Sequence, residues 1–327
     1  MTQVQTTQAL LLALYALLVA WQSPKLLTRL TASGLSARLG IAAWLAAMIT
    51  ALLSAAIALQ FLGRAVVEGW PGFAEAVCRS VAGNACTTVV YRSALFELLL
   101  GLIVTAAAVL TAALAWRYGR GLRQAQRGTR NHAEVARMAG RQLADTTAVG
   151  AGRPGHPLIV DGRQPVAYCL PGRPATIVLT TGAIAVLDPQ QLAAVLAHER
   201  AHLAGRHHLL TMLTRGLAIT LPVVPLFTTG PPEVALLAEM CADDTAVRQV
   251  GRQPLITALL AMGTGQPVPL RSLGATGQAT LARVNRLAAP SGRARQAGCQ
   301  LVLAAVTLLL IAAPSLMITL AAALAPA

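Results

Sequence analysis

Ala197-His198-Glu199-Arg200-Ala201-His202 fits the pattern H-E-x-x-H. A helix turns about 100° per residue, so His198 and His202 return to nearly the same face. Two imidazoles can then bind one Zn²⁺, with Glu199 beside the metal's open position. A carboxylate there is placed to take a proton from a bound water, whose pKa zinc lowers to about 7. The helix has a clear start, because Asp188-Pro189-Gln190-Gln191 supplies an acidic N-cap, a first-turn proline and a glutamine at the capping-box position. Leu192, Leu196 and Leu203 make an apolar stripe about a third of a turn from the histidines. Val195 falls on the histidines' own face, so apolar cover is expected on both sides. That is the pattern of a buried site rather than of a solvated helix with incidental His and Glu.

Upstream lie three short β-prone runs, Leu158-Ile159-Val160, Val166-Ala167-Tyr168-Cys169 and Thr176-Ile177-Val178-Leu179-Thr180. Pro165, Pro171-Gly172 and Gly182 punctuate them, which predicts a small sheet. The last run is expected at the sheet edge, where an extended peptide can add as a further strand. Downstream, Pro231-Pro232-Glu233 is read as the start of another helix, ending near Gly251.

A catalytic zinc usually has three protein ligands and a water. One candidate for the third is Glu239, with Asp243 a turn away and placed to accept a hydrogen bond from the far nitrogen of a ligand histidine. The alternative is His208, since residues 198–208 also fit H-E-x-x-H-x-x-G-x-x-H, in which Gly205 would break the helix. That longer pattern expects a later Met-containing turn, and no clear one follows. Glu239 is favoured.

The rest of the chain is a membrane protein's. Of its 327 residues 55% are hydrophobic and 12% charged, with a mean hydropathy of +0.61. Residues 4–22, 39–62, 94–116 and 299–322 are each near the ~20 residues that cross a bilayer, with Pro314 in the last. The run at 209–228 is broken by Arg215, Pro222 and Pro225 and reads as a core or interfacial element. The net charge of +14 collects in short connections. Lys25, Arg29 and Arg38 follow the first span, Arg117 to Arg141 the third, and Arg283 to Arg295 precede the fourth. The positive-inside tendency then puts residues 117–298 in the cytoplasm and the 63–93 loop outside. No aromatic-interleaved basic motif accompanies the charge, so direct nucleic-acid binding is not expected. Among five cysteines, Cys78 and Cys86 fall in the outside loop and are a candidate disulfide. Cys169, Cys241 and Cys299 read as packing residues.

Taken in order, the segments Pro165-Val166-Ala167-Tyr168-Cys169-Leu170-Pro171-Gly172, Ile177-Val178-Leu179-Thr180-Thr181-Gly182, Leu187-Asp188, the H-E-x-x-H helix and Glu239-x-x-x-Asp243 resemble the integral-membrane gluzincins. That group includes the BlaR/MecR-type antirepressor peptidases and the HtpX/CAAX-prenyl-protease group. The likeness is specific over residues 165–251 and looser elsewhere. Three spans before the peptidase region and one after it match the BlaR/MecR type better. The resemblance implies that His198, His202 and Glu239 bind zinc, that Glu199 is general base and acid, and that Asp243 orients a ligand. It also implies that a cytoplasmic zinc domain cleaves itself or a cytoplasmic transcriptional repressor. The chain stops at Ala327, just after the last span, so the penicillin-binding sensor of that type is not expected to follow. Any input is expected through the 63–93 loop, the membrane or a partner.

The expected fold is therefore a mainly α, multi-pass membrane protein carrying a cytoplasmic α+β, gluzincin-like zinc peptidase domain. Residues 1–116 would form the N-terminal membrane region, 117–298 the peptidase domain and 299–327 the last transmembrane helix. The expected activity is that of a cell-membrane zinc metalloendopeptidase. Its partners would be the lipid bilayer and a cytoplasmic protein substrate, in signal-dependent proteolysis. The rival readings are HtpX-like quality control of membrane proteins and a non-catalytic zinc-containing transducer. Oligomeric state, stimulus and cleavage preference are not encoded in any motif.

Overall fold

The computed structural model describes residues 3–82, 89–142, 156–172, 174–264, 278–289 and 292–323. Its apolar N-terminal runs fold as α1 (Gln3–Thr31) and α2 (Ala37–Ala82), packed as a hairpin. The turn between them passes through Gly34 at φ +60, where a side chain would be strained and would strike the Met240 side chain. α3 (Val89–Ala139) is the third long helix and α10 (Arg293–Ala323), which continues through Pro314, the last. Among the described residues four helices are long and apolar enough to cross a membrane, within Gln5–Thr31, Ala37–Arg64, Gly101–Ala139 and Ala294–Ala323. Leu102, Ile103, Leu308 and Leu309 are all exposed on α3 and α10, an outer surface suited to lipid rather than water.

The expected 63–93 loop is mostly absent as a loop. α2 continues helically to Ala82 and α3 already begins at Val89, because a polar composition ends a membrane span without ending a helix. Cys86 and the Cys78 side chain, the candidate disulfide, lie outside the described residues.

A four-stranded sheet comprises β1 (Arg141–Gln142), β2 (His156–Val160), β3 (Ala167–Leu170) and β4 (Thr176–Thr180), in the order β1-β2-β4-β3. β4 pairs parallel with β2, Leu158 opposite Val178, and antiparallel with β3, Tyr168 opposite Val178. The expectation of β4 as an edge strand is thus overturned. Ile177, Val178 and Leu179 are fully buried, and a strand whose consecutive residues are all apolar belongs inside a sheet. The edge is β3.

Five short and medium helices follow: α4 (Thr181–Val186), α5 (Pro189–Ala204), α6 (His207–Thr220), α7 (Pro225–Val250) and α8 (Arg252–Thr264). α9 (Gln278–Ala288) precedes α10. α5 starts as its sequence predicts. Asp188 accepts from the Gln190 and Gln191 amides, and the Gln191 side chain accepts from the Asp188 amide. α6 has 14 residues, about 21 Å, short of the roughly 30 Å of a bilayer core. α7 begins earlier than expected, at Pro225, and runs through Pro231 and Pro232. Those prolines cannot donate to the carbonyls a turn earlier, but Leu226 and Phe227 are buried in the core and hold the leading turns helical. Gly230 lets α2 approach, since a Cβ there would meet Met48 and Trp44. One core thereby joins Trp44 and Met48 of α2, Leu27 of α1, Leu226, Leu237 and Met240 of α7, and Leu303 of α10. α7 is thus mounted directly on the α1–α2 hairpin.

Candidate metal centre

α5 lies between two apolar clusters. Val195 and Leu196 pack with Ile177 and Leu179 of the sheet, while Ala194 and Ala197 pack with Ala246, Leu255 and Leu287. Wedged this way, α5 presents His198 and His202 to α7 and cannot rotate without exposing one cluster. Their Nε2 atoms are 3.0 Å apart. Glu239 of α7 comes within 3.3 Å of His198 Nε2 and 3.4 Å of His202 Nε2. His198, His202 and Glu239 offer ligand atoms that all lie within 4.8 Å of one another. His198 and Glu199 are buried, but the Glu239 side chain is 39% exposed, so the cluster has one open side.

These residues fit a metal. Four-coordinate zinc with bonds of about 2.05 Å separates its ligand atoms by roughly 3.3 Å, close to the three observed spacings. The protonation pattern agrees. Asp243 Oδ1 lies 3.0 Å from His198 Nδ1 and favours a proton there, which leaves the Nε2 lone pair aimed at Glu239 and His202. Three electron-pair donors facing each other require a cation or protons between them. The pKa of His198 reports the same field. Burial disfavours its charged form, but the contacts with Asp243 and Glu239 outweigh burial and raise it to about 9. Burial likewise works against the Glu239 and Asp243 carboxylates. His198, His202 and Arg283 overcome it at Glu239, as Arg283 and His198 do at Asp243, and both stay well below the usual carboxylate range.

Asp243 is fully buried. Its charge is met by Arg283 of α9, which donates from Nε to Oδ2 at 2.8 Å and from an Nη to Oδ1 at 2.7 Å. The other Nη is 3.0 Å from Glu239. The sequence reading took Arg283 only as a topology charge. Its one signal was position: Arg283 shares a helix face with Leu287, and a charge on an apolar stripe usually meets a partner. Asp244 is also paired, with Arg286 at 2.7 Å.

His208, the alternative ligand, is not in the cluster and instead lines a groove between α6 and α3. Its neighbour His207 turns back instead, its Nδ1 3.0 Å from His202 Nδ1. α5 does break at Gly205, and Arg206 adopts a left-handed conformation. A Cβ on Gly205 would collide with the His207 ring. Burial and then the neighbouring His202 lower the His207 pKa to about 4, so it is a neutral partner for His202. No spacing in the sequence points to His207, because it touches the far nitrogen of His202 rather than the His198–His202–Glu239 cluster itself. Cys169 was read as a packing residue. On β3 it does pack, and its thiol also meets the Glu199 carboxylate; burial and that charge push it up to about 12.

Residues 129–257 match the model of peptidase family M48. The matched segment runs from the end of α3 into α8 and contains His198, Glu199, His202, Glu239 and Asp243. The match supports a metallopeptidase, in a family usually dependent on zinc. No curated protein and no solved structure matches the chain. Arg283 lies outside the M48-like segment, although it completes the charge balance of the cluster inside it.

Proposed function

We propose that the chain is a membrane-bound zinc endopeptidase that hydrolyses peptide bonds of a cytoplasmic protein, of itself, or of both, in signal-dependent proteolysis. The observation that carries this reading is the convergence of His198, His202 and Glu239 beside Glu199, with one side open. His198, His202 and Glu239 would hold Zn²⁺, which when bound polarises a carbonyl and lowers the pKa of water. Asp243 keeps the His198 proton on Nδ1, and His207 bonds the far side of His202, so both rings are held in orientation. Glu199 is the base that accepts a proton from the attacking water and returns it to the leaving amide nitrogen. The free edge of β3, whose Cys169 lies against Glu199, would pair with an extended substrate. The distribution of basic residues supports a cytoplasmic site.

Purified full-length Glu199→Gln protein should bind zinc as the wild type does and lose cleavage by about 10²- to 10⁴-fold. Unchanged cleavage would end the assignment. Cross-linking of substrates trapped on that variant then separates one dominant cytoplasmic partner, as proposed, from many membrane proteins, the quality-control pattern.

A further inference from the structure

The basic stretch after the third span does more than set topology. Between α3 and α6 lies an open cavity of about 620 Å³ whose lining includes Arg117, Arg130, Arg215 and His208 and, among the described residues, no acidic one. The Tyr118 hydroxyl donates to the Leu213 carbonyl at 3.2 Å, and the Tyr118 ring lies against Gly216. Arg117 and Arg215, each adjacent in sequence to one of these partners, therefore share one end of the cavity. Both are exposed. That end is at the bilayer boundary, because the apolar run of α3 stops at Trp116, an exposed indole of the kind that sits at membrane interfaces. Leu122, Met212 and Ile219 line the same cavity. Ile219 and, just beyond α6, Val223 are strongly exposed apolar residues. Two cations at headgroup level, with exposed Ile219 and Val223 on their bilayer side, form an amphipathic site with the charge order of an anionic phospholipid.

We infer that the α3–α6 groove binds an anionic phospholipid, its phosphate between Arg117 and Arg215 and an acyl chain against Ile219 and Val223, on the bilayer side of the two arginines. Arg130 lies thirteen residues further along α3, about 20 Å away, and takes no part. The inference stands apart from the peptidase reading, since none of these groups belongs to the metal cluster.

The test is lipid retention. Purified full-length protein is equilibrated with equal phosphatidylglycerol and phosphatidylcholine, washed by detergent exchange, and its remaining lipid measured by mass spectrometry. The wild type should retain phosphatidylglycerol preferentially. Arg117→Gln and Arg215→Gln should each lower that retention about fivefold, and the pair roughly 25-fold, while Arg130→Gln leaves it unchanged. Should the double variant fail to fold, the single variants and the charge-keeping Arg215→Lys, which should retain the lipid, decide the matter. Equal retention of the two lipids by the wild type would overturn the inference. So would indifference to Arg117 and Arg215, or displacement of the lipid by millimolar inorganic phosphate, which would mark a soluble-phosphate site.

Discussion

Arg283 grips Asp243 through two hydrogen bonds of 2.8 and 2.7 Å, forty residues apart in the chain and both buried. Asp243 in turn contacts His198 and Arg283 reaches Glu239, so one guanidinium sets the charge around two of the three proposed ligands. Removing it leaves Asp243 as an unpaired buried carboxylate. Arg283→Ala should therefore lower stability by about 3–5 kcal/mol. Arg283→Lys keeps the charge and loses the fork; it should weaken zinc binding by roughly 10- to 100-fold. Thermal unfolding and competitive zinc titration measure the two effects, and a Lys variant with wild-type zinc affinity would contradict the positioning role.

The two candidate third ligands separate cleanly by metal analysis. Glu239→Ala should lose zinc affinity by more than the roughly 100-fold expected for an indirect contact. His208→Ala should retain zinc, since His208 faces the α3–α6 groove. Stoichiometric zinc in Glu239→Ala would reopen the question.

Gly205 is required for space rather than for φ, which is an ordinary −76°. A methyl there meets the His207 ring and should displace it from His202. Gly205→Ala is expected to cost about 1–3 kcal/mol by overpacking. Gly205→Ala combined with His207→Ala should recover part of that loss, and a melting series on the four proteins would show it.

Cys169 gives an alkaline signature. Its folded pKa is raised from 9.0 to about 12 by burial and by Glu199, so folding favours the protonated thiol. That contribution is complete below pH 9 and is lost as pH rises from 9 toward 12. The melting temperature of the wild type should fall more steeply over that window than that of Cys169→Ala. Parallel slopes would mean that the thiol titrates normally. The same shift predicts slow alkylation of Cys169 at pH 8 in the folded protein, because the thiolate is the reacting form.

Local rules were sufficient where the relevant contacts are close in sequence. The four apolar runs, the capping box at Asp188 and the shared face of His198 and His202 depend on composition and helical period, and the fold keeps them all. Glu239 was legible as a candidate because Glu239 and Asp243 repeat the same one-turn spacing. The position of β4 was misread because burial on both faces distinguishes a central strand from an edge, and that depends on what packs above and below. The start of α7 was misread because packing of Leu226 and Phe227 against α2 outweighs the prolines that follow.

What the sequence by itself determined is an apolar, multi-span chain with two imidazoles and a carboxylate at helical spacing, since periodicity and hydrophobic length are properties of neighbouring residues. Only the tertiary structure decided that Glu239 rather than His208 completes the cluster, that His207 braces His202, and that Arg283 neutralises Asp243. Those choices rest on distances between segments far apart in the chain, fixed when α5, α7 and α9 bury their apolar faces together and a buried charge must find its partner.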